Sequence, residues 1–253
     1  MSRRVRVLPY KMGSKSSRAL ANYLGVKRLY NDGRSRFVGR SSDVIINWGS
    51  SSGISNGVNV EYINTPSSVA LASNKLHTFK ALEEAGVSIP EYFSNPRNII
   101  NGNTYVARTK LQGHSGDGIE VFTADVEQLN PYAPLYTKLI EKKYEYRAIV
   151  VGSEVVDVKK KLKKRDWEEE NGERDPYVWN HSNGYVFARN DIEFPDSLNQ
   201  LSVDATQALG LDFGAVDIIE DNEGNLYVLE INTAFGIEGT TLERVGEAIK
   251  SLL

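Results

Sequence analysis

The first 63 residues show two apolar runs on either side of a segment with helical spacing. Residues 5–10, VRVLPY, and 43–49, DVIINWG, are typical of buried strands. Residues 16–25, SSRALANYLG, begin with serines that favour a helix N-cap and end at a glycine that favours a helix C-terminus. The pattern predicts a small α/β domain over residues 1–63.

Helical spacing returns after this domain. Apolar positions predict a helix from an N-cap at Ser67 through Leu82, ended by Gly86 and Pro90. Residues 196–210, DSLNQLSVDATQALG, are also amphipathic with helical period. We therefore expect two further helices, separated by more than one hundred residues of other structure.

Alternating and continuous apolar runs predict strands between those helices. Residues 104–111 and 118–123 indicate two strands joined by a Gly-rich segment. Residues 135–162 indicate a strand, a crossing segment and two strands that turn at 151–153. Residues 163–178 are charged and unpatterned, which predicts a mobile loop.

The C-terminal apolar runs predict a hairpin that carries acidic side chains. The segment 221–224, DNEG, separates AVDII from YVLEI and is a typical turn sequence. Asp217 and Glu230 would then lie nearly opposite each other, and Asn232 would share the face of Glu230 because strand side chains alternate. Two carboxylates this close repel, so a hard cation such as Mg²⁺ is expected between them. The alternative is that both acids are solvated strand residues.

The Gly-rich segment is a candidate phosphate-binding flap. Gly113, Gly116 and Gly118 lie between two strands, and no Gly-Lys-Ser/Thr follows, so the segment is not a Walker A loop. It is similar to the flap that covers nucleotide phosphates in protein kinases, where backbone N–H groups approach anionic oxygens. Arg108 on the entering strand adds a cation. A purely structural hairpin with a wide turn remains an alternative.

Composition narrows the functional class. The chain has 253 residues, 40% of them hydrophobic, and a formal charge of −3, which argues against electrostatic binding of nucleic acid. It contains no cysteine, which excludes a thiolate nucleophile and zinc–thiolate sites. No apolar run reaches the roughly 20 residues of a membrane span, and the N-terminal residues do not resemble a signal peptide. We expect a cytoplasmic protein with no membrane partner.

The order of these elements resembles the ATP-grasp superfamily, in the branch of carboxylate-amine ligases that includes ribosomal-protein glutamate ligases and D-alanyl-D-alanine ligases. The resemblance runs from about Asn64 to the C-terminus and is most specific in 210–243, GLDFGAVDIIEDNEGNLYVLEINTAFGIEGTTLE. It implies an α+β fold in which two α+β lobes clasp ATP after a small α/β domain. The implied division is 1–63, then 64–135 with the flap, then 136–253 with the metal site.

The resemblance also implies roles for particular residues. The implied metal ligands are Asp217, Glu230 and Asn232. The implied nucleotide-binding residues are Lys75, Arg108, Gly113, Ser115, Gly116, Lys138, Leu139, Ile140 and Glu145. The implied catalytic residues are Arg147 and Asn180.

Some of these positions depart from the family pattern or have a simpler interpretation. Arg108 stands where the family has a lysine, which keeps the charge and adds a fork of donors, and Phe235 stands where many relatives have a proline. The alternative to a nucleotide-binding role for Lys75 is that it is an exposed lysine on a helix. His181 is either a base for the amine or, as we favour, a structural hydrogen-bonding group. Lys161, like Lys159, is either an anion ligand or part of a solvated edge.

The function implied by the resemblance is an ATP-dependent ligase that joins a carboxylate to an amine through an acylphosphate and releases ADP and phosphate. The expected cofactors are ATP and Mg²⁺, with Mn²⁺ as an alternative metal. The expected partners are a small-molecule or peptide carboxylate and an amine acceptor, with no oligomeric state indicated. Two alternatives stay open: a kinase of the same fold that phosphorylates a hydroxyl, and a nucleotide-binding module without turnover.

Overall fold

A parallel sheet forms the N-terminal part of the chain. The computed structural model describes residues 3–32, 34–56, 59–112, 118–125, 131–190 and 192–253. The strands of this sheet are Val5–Pro9 (β1), Lys27–Arg28 (β2), Val44–Trp48 (β3) and Glu61–Ile63 (β4), in the order β2-β1-β3-β4. Helix α1, Lys15–Tyr23, follows β1, and the Ser14 side chain caps it by accepting a hydrogen bond from the Ser17 N–H. Both predicted strands and the helix are present.

The helical segment predicted from Ser67 to Leu82 is wrong as a single helix. It is divided into α2, Pro66–Ser73, capped by Thr65, and α3, Lys75–Glu84. Asn74 separates them because its backbone is extended and its Oδ1 accepts hydrogen bonds from the first N–H groups of α3. The break places Lys75 at a helix N-terminus.

The second sheet is antiparallel and contains the strands that flank the Gly-rich segment. Its strands are Tyr92–Phe93 (β5), Thr104–Arg108 (β6), Ile119–Thr123 (β7) and Leu135–Lys138 (β8), in the order β5-β8-β6-β7. A 3₁₀ turn at Pro96–Asn98 follows β5. Gly113, Ser115 and Gly116 lie outside the described residues, so the predicted flap stays a prediction.

The third sheet has five strands and contains the predicted hairpin. Its strands are Lys142–Val151 (β9), Glu154–Lys163 (β10), Tyr185–Ala188 (β11), Phe213–Asp221 (β12) and Leu226–Asn232 (β13), in the order β11-β10-β9-β12-β13. The turn between β9 and β10 falls at Gly152, where φ is +62°. Asp217 on β12 lies opposite Glu230 on β13, as the sequence predicts.

In the described part of the C-terminal half, three helices and a 3₁₀ turn accompany these strands. They are Trp167–Asn171 (α4), His181–Asn183 (3₁₀), Ser197–Ala208 (α5) and Gly239–Ser251 (α6). The interpretation of 163–178 as an unpatterned loop is wrong where α4 forms. The Arg174 side chain fixes this segment by donating to the Glu168 carboxylate and to the Lys164 carbonyl oxygen.

The two faces of the third sheet pack against different elements. One face, with Ala148 and Val150 of β9, packs under α5. The other face, with Ile149 and Val151, packs against the N-terminal sheet and α6, where Trp48 stacks on Phe213 at 5.2 Å between ring centroids. Alternation on β9 therefore places Arg147 on the same face as Ile149, beside this core.

The predicted division of the chain at 63/64 and 135/136 remains a prediction. Strand β8 pairs with β5 and β6, so the second sheet continues to Lys138. Among the described helices, none combines the length and apolar character needed to cross a bilayer.

Candidate active site

A cleft of about 550 Å³ lies between the second and third sheets. Residues from β6, β7 and β8 line one wall, and residues from β9, β10, β12 and β13 line the other. The predicted site residues that line it are Lys75, Arg108, Lys138, Leu139, Ile140, Glu145, Arg147, Asn180, Asp217, Glu230 and Asn232. The fold therefore collects in one cleft every predicted site residue that the structure describes.

An Arg147–Asp217 ion pair lies on the floor of the cleft. The two residues are register partners on β9 and β12, and Arg147 Nε and Nη2 donate to Asp217 Oδ1 and Oδ2, both at 2.6 Å. Burial raises the pKa of Asp217, and the Arg147 guanidinium opposes that shift. Burial also works to lower the pKa of Arg147, but the Asp217 carboxylate outweighs it and raises that pKa. The guanidinium is thus held charged at neutral pH.

The second carboxylate of the cleft, Glu230, pairs with a different cation, Lys75. Lys75 Nζ donates to Glu230 Oε2 at 2.7 Å, and the Lys75 backbone N–H donates to the Leu111 carbonyl oxygen at 3.1 Å. Burial works to raise the pKa of Glu230, but Lys75 and the Asn232 amide outweigh it and lower the pKa to about 2. Glu230 is therefore ionised at neutral pH, and Lys75 is not the exposed helix lysine of the simpler interpretation.

Asn232 connects the two carboxylates. Its Nδ2 lies 3.1 Å from Glu230 Oε1 and 3.3 Å from Asp217 Oδ2. The assignment of amide nitrogen and oxygen follows the hydrogen-bond network, and the opposite orientation would direct Oδ1 to the same point. Two carboxylates and an amide oxygen form a hard donor set that fits Mg²⁺. No cluster of three or more His, Cys, Asp or Glu occurs in the described ranges, so a metal here would depend on this set.

Arg108 is a partly buried cation with one buried, unused donor atom. Its Nε is buried and has no hydrogen-bond partner among the residues that the structure describes. Burial lowers the pKa of Arg108, while the Glu230 carboxylate acts in the opposite direction. An orphaned guanidinium N–H is costly unless an anion satisfies it. Arg108 therefore fits a phosphate-binding role.

Residues 138–140, called here the linker, lead from the second sheet to the third and also line the cleft. The Lys138 N–H donates to the Glu91 carbonyl oxygen at 2.8 Å, and the Leu139 N–H donates to that of Thr104 at 2.9 Å. Those two N–H groups are committed to the protein, so any contact with an adenine edge falls to the carbonyl oxygens or to Ile140. The surrounding apolar wall is formed by Val106, Ile119, Val121, Ile219 and Leu229. Such a wall suits a flat aromatic base.

Glu145 is more constrained than the sequence suggests. It accepts hydrogen bonds from Lys161 and, at 3.2 Å, from Lys142. Lys142 is a cleft residue that the sequence reasoning missed. Burial lowers the pKa of Lys142, and the Glu145 carboxylate opposes this shift. Its position on β9, an odd number of residues from Glu145, gave no signal, since strict alternation would direct it to the other face.

The segment 177–187 closes one side of the cleft. Asn180 lines it, but its Oδ1 accepts from the Asn183 N–H and the Ser182 hydroxyl, both at 2.9 Å, so its metal or phosphate role stays a prediction. His181 also lines the cleft. Trp179 stacks on Tyr185 with ring centroids 5.0 Å apart. This aromatic wall was missed because it follows a charged stretch without strand or helix period.

Residues 233–238, called here the β13–α6 loop, follow β13 and join the cleft to the N-terminal sheet. Phe235 is buried and packs on Trp48 with ring centroids 4.8 Å apart. Gly49 allows close approach, because a Cβ there would lie 2.6 Å from the Ala234 Cβ. The Ile237 N–H donates to the Ser16 hydroxyl oxygen at 3.3 Å. Phe235, which stands where many relatives have a proline, thus anchors the loop to the N-terminal sheet.

The chain is similar to known sequences over part of its length. Residues 135–251 match the RimK-like ATP-grasp domain. A probable alpha-L-glutamate ligase of Mannheimia succiniciproducens is 28% identical over 196 residues, which are 71% of this chain and 62% of that protein. A protein of the same name from Enterobacter sp. is 25% identical over 70% of this chain and 61% of its own length. The chain thus spans less than two thirds of the curated relatives it matches.

Solved structures extend the likeness to nearly the whole chain. The ATP-grasp ligase PsnB, complexed with a phosphomimetic variant of minimal precursor, Mg and ADP, superposes with a TM-score of 0.66 at 12% identity, covering 98% of this chain and 97% of that chain. A Chryseobacterium gregarium RiPP-associated ATP-grasp ligase, in complex with ADP and a leader and core peptide, gives 0.65 at 17% identity over 100% and 96%. D-alanine–D-alanine ligase from Bacillus anthracis gives 0.61 at 14% over 99% and 93%. The predicted α+β ATP-grasp fold is confirmed.

Proposed function

Because the chain has the ATP-grasp fold, we propose that it is an ATP-dependent ligase that joins a carboxylate to an amine and releases ADP and phosphate. One observation carries the proposal. The cleft brings the Asp217, Glu230 and Asn232 donor set together with the cations Arg147 and Lys75. A triphosphate with a divalent cation needs this mixture of anionic and cationic groups.

The metal set is proposed to be Asp217, Glu230 and Asn232. When bound there, Mg²⁺ would neutralise charge on the ATP phosphates. Mn²⁺ has similar ligand preferences and remains an alternative. The carboxylates now accept from Arg147 and Lys75, so we infer that both cations turn toward phosphate oxygens when a metal takes the carboxylates.

The nucleotide is proposed to lie along the cleft with its base at Lys138–Ile140. The apolar wall there excludes water from the base, and the two N–H groups already bonded within the protein hold the linker rigid. Glu145 is proposed to approach the ribose, and Arg108 to satisfy its buried Nε with a phosphate oxygen. The Gly-rich segment with Gly113, Ser115 and Gly116 is proposed to cover the phosphates.

The proposed reaction has two steps. A substrate carboxylate oxygen attacks the γ-phosphorus of ATP, the bond from phosphorus to the bridging oxygen breaks, and ADP leaves. The amine nitrogen then attacks the acylphosphate carbon, inorganic phosphate leaves with the oxygen that joined it to carbon, and the amine loses a proton. No protein nucleophile is required. The chain positions the reactants, and its cations stabilise the charge on the transferring phosphoryl group.

Arg147 and Asn180 are the proposed catalytic residues. Before a metal binds, the bidentate bond to Asp217 holds Arg147 on the floor of the cleft, from which its guanidinium would turn toward phosphate oxygens. Asn180 is held by its own turn on the opposite side. The acid is proposed to be a small-molecule or peptide carboxylate, and the amine acceptor a separate substrate. A cytoplasmic location is retained as a prediction.

Trapping with hydroxylamine tests the proposed reaction. Hydroxylamine is a small nucleophile that can replace an unidentified amine, so the protein with Mg-ATP and a pool of amino acids and short peptides should form a hydroxamate, ADP and phosphate. Release of AMP and pyrophosphate would instead identify an adenylating enzyme. A stable phosphorylated alcohol without free phosphate would identify a kinase.

A further inference from the structure

Positive charge is concentrated in the N-terminal part of the chain. Residues 1–63 contain eleven Lys and Arg against three Asp and Glu, an excess of eight positive charges. Residues 64–253 contain nineteen against thirty, an excess of eleven negative charges. The formal charge of −3 is therefore an average over two parts of opposite sign. A local excess of this kind attracts polyanions even when the whole chain is acidic.

The outer face of the N-terminal sheet is turned away from the cleft. Leu8 and Ile45 lie on this face, opposite to the side of Trp48 that packs against the third sheet. The connections 29–43 and 49–60 cover the outer face, and no helix forms in their described residues. Side chains of these connections and of the strands beneath them are therefore open to solvent at many positions.

Six cations from β1, β2 and the connection 29–43 lie on this side of the sheet. They are called here the basic face and comprise Arg4, Arg6, Lys27, Arg34, Arg36 and Arg40. The guanidinium carbons of Arg4 and Arg6 lie 4.6 and 5.5 Å from the ring centroid of Phe37, which packs on this side of the sheet. Lys27 on β2 is the register partner of Arg6, so both project to the same side.

The few acids of this part of the chain do not neutralise the basic face. Each acid of residues 1–63 already pairs with an arginine, and the pairs are Asp32–Arg34 at 2.7 Å, Asp43–Arg4 at 2.9 Å and Glu61–Arg3 at 2.9 Å. Lys27 and Arg36 are exposed, and neither forms an ion pair with a carboxylate of any described residue. Their charges are therefore accessible to a polyanion in solution.

Tyr30 adds an aromatic ring beside these cations. The residue is 50% exposed, and the guanidinium carbon of Arg34 lies 5.3 Å from its ring centroid. Bases of a single strand stack on exposed aromatic rings while neighbouring cations contact the phosphates. An acidic protein or an anionic lipid headgroup supplies negative charge but no base to stack. The combination of Tyr30 with the cations thus favours a nucleic acid.

We propose that the basic face binds single-stranded nucleic acid, with Lys27 and Arg36 pairing with phosphates and Tyr30 stacking on a base. This function goes beyond the proposed ligase reaction, and its surface lies on the side of the N-terminal sheet that faces away from the cleft. The acidic excess of residues 64–253 repels phosphates and confines the strand to the basic face. The cleft and the nucleic-acid surface therefore do not overlap.

Fluorescence anisotropy on the full chain tests the proposal. The probe is a fluorescein-labelled oligouridylate of about 20 nucleotides, which exceeds the site size of a typical single-strand binding domain. It should bind saturably, and log Kd should rise with log salt concentration with a slope of about 2 to 3, as for three or four phosphate contacts. Replacing Lys27 and Arg36 together by Gln should raise the Kd by about tenfold or more and lower that slope by about 1.4.

The matched control replaces Lys80 and Arg97 together by Gln. Both are exposed, on α3 and on the 3₁₀ turn after β5, and the double substitution makes the same charge change. It should leave the Kd within about twofold. Equal weakening by the two double substitutions would overturn the proposal in favour of general electrostatic attraction. Absence of saturable binding at low salt, or an unchanged Kd without Lys27 and Arg36, would overturn it outright.

A second pair of variants tests the stacking contact. Tyr30→Ala should raise the Kd for oligouridylate by about fivefold or more, and Tyr30→Phe should keep the affinity of the unmodified protein because the ring remains. Equal affinity in Tyr30→Ala would refute the stacking. If polyglutamate of the same charge displaces the oligonucleotide as well as unlabelled oligouridylate does, the partner is an acidic protein. Binding to phosphatidylserine vesicles without binding to the oligonucleotide would assign the face to a membrane, and either result overturns the proposal.

Discussion

Replacement of Glu230 by Gln tests the proposed metal set. Because Glu230 is ionised at neutral pH, with a pKa of about 2, the change removes one full negative charge and keeps the side-chain shape. It also replaces the carboxylate that pairs with Lys75 at 2.7 Å by a neutral acceptor. The substitution should therefore lower the stability of the protein both with and without nucleotide, by different amounts.

The magnitudes follow from the contacts of Glu230. Without nucleotide, the weakened bond to Lys75 should lower the free energy of unfolding by about 1 kcal/mol, as for a partly exposed charge-assisted bond. At a ligand concentration of about 100 Kd, Mg-ATP should stabilise the unmodified protein by about 2.7 kcal/mol, or roughly 5–11 °C in Tm for a chain of this size. The variant should lose most of that increase, and turnover should fall by about a hundredfold.

Differential scanning fluorimetry with and without Mg-ATP, together with a phosphate-release assay, measures both effects of the Glu230 substitution. Glu154→Gln, at an exposed position beside the β9–β10 turn, is the control and should behave like the unmodified protein. A Glu230→Gln protein with an unchanged Mg-ATP shift and unchanged turnover would refute the assignment of Glu230 to the metal.

Three further substitutions test other parts of the account. Gly49→Ala would place a Cβ 2.6 Å from the Ala234 Cβ of the β13–α6 loop. It should therefore lower the free energy of unfolding by about 1–3 kcal/mol more than Gly86→Ala, a position that also has a positive φ but faces open space, and equal losses would contradict the close packing. The Arg4 hydrogen bond holds the pKa of Asp43 well below its usual range, so its stabilisation is complete above about pH 4, declines below it and is lost only as the pH falls through the lowered pKa. Asp43→Asn should therefore reduce stability in urea more at pH 7 than at pH 3, and a constant difference would contradict this. Gly116→Val should weaken Mg-ATP binding more than it lowers Tm, whereas the reverse would indicate a structural hairpin.

Local patterns predicted the β12–β13 hairpin well. The DNEG turn and the alternation around it place Asp217 opposite Glu230, since register in a short hairpin follows from the turn. The identity of their partners depends on longer separations. Arg147 is 70 residues from Asp217 along the chain, and Lys75 is 155 residues from Glu230. The family resemblance implied functional roles for these two cations. Their contacts with the two carboxylates are seen only in the structure.

Other features had no local signal. Asn74 breaks a continuous helical pattern because its side chain competes for the N–H groups of α3. The buried donor of Arg108 depends on how the second and third sheets meet. The buried Asp157 carboxylate accepts hydrogen bonds from the side chains of residues 189, 241 and 244, which share no sequence motif. These contacts arise from tertiary packing, and strand or helix periodicity does not encode them.

The fate of a carboxylate oxygen tests the central claim, formation of an acylphosphate, most directly. A pool of amino acids and short peptides labelled with ¹⁸O in their carboxylates would be incubated with the protein, Mg-ATP and hydroxylamine, and the released phosphate would be analysed by mass spectrometry. Since one carboxylate oxygen leaves with phosphate, the account predicts about one ¹⁸O atom in the phosphate for each hydroxamate formed. Hydroxamate accompanied by unlabelled phosphate, or by ¹⁸O in AMP, would contradict it.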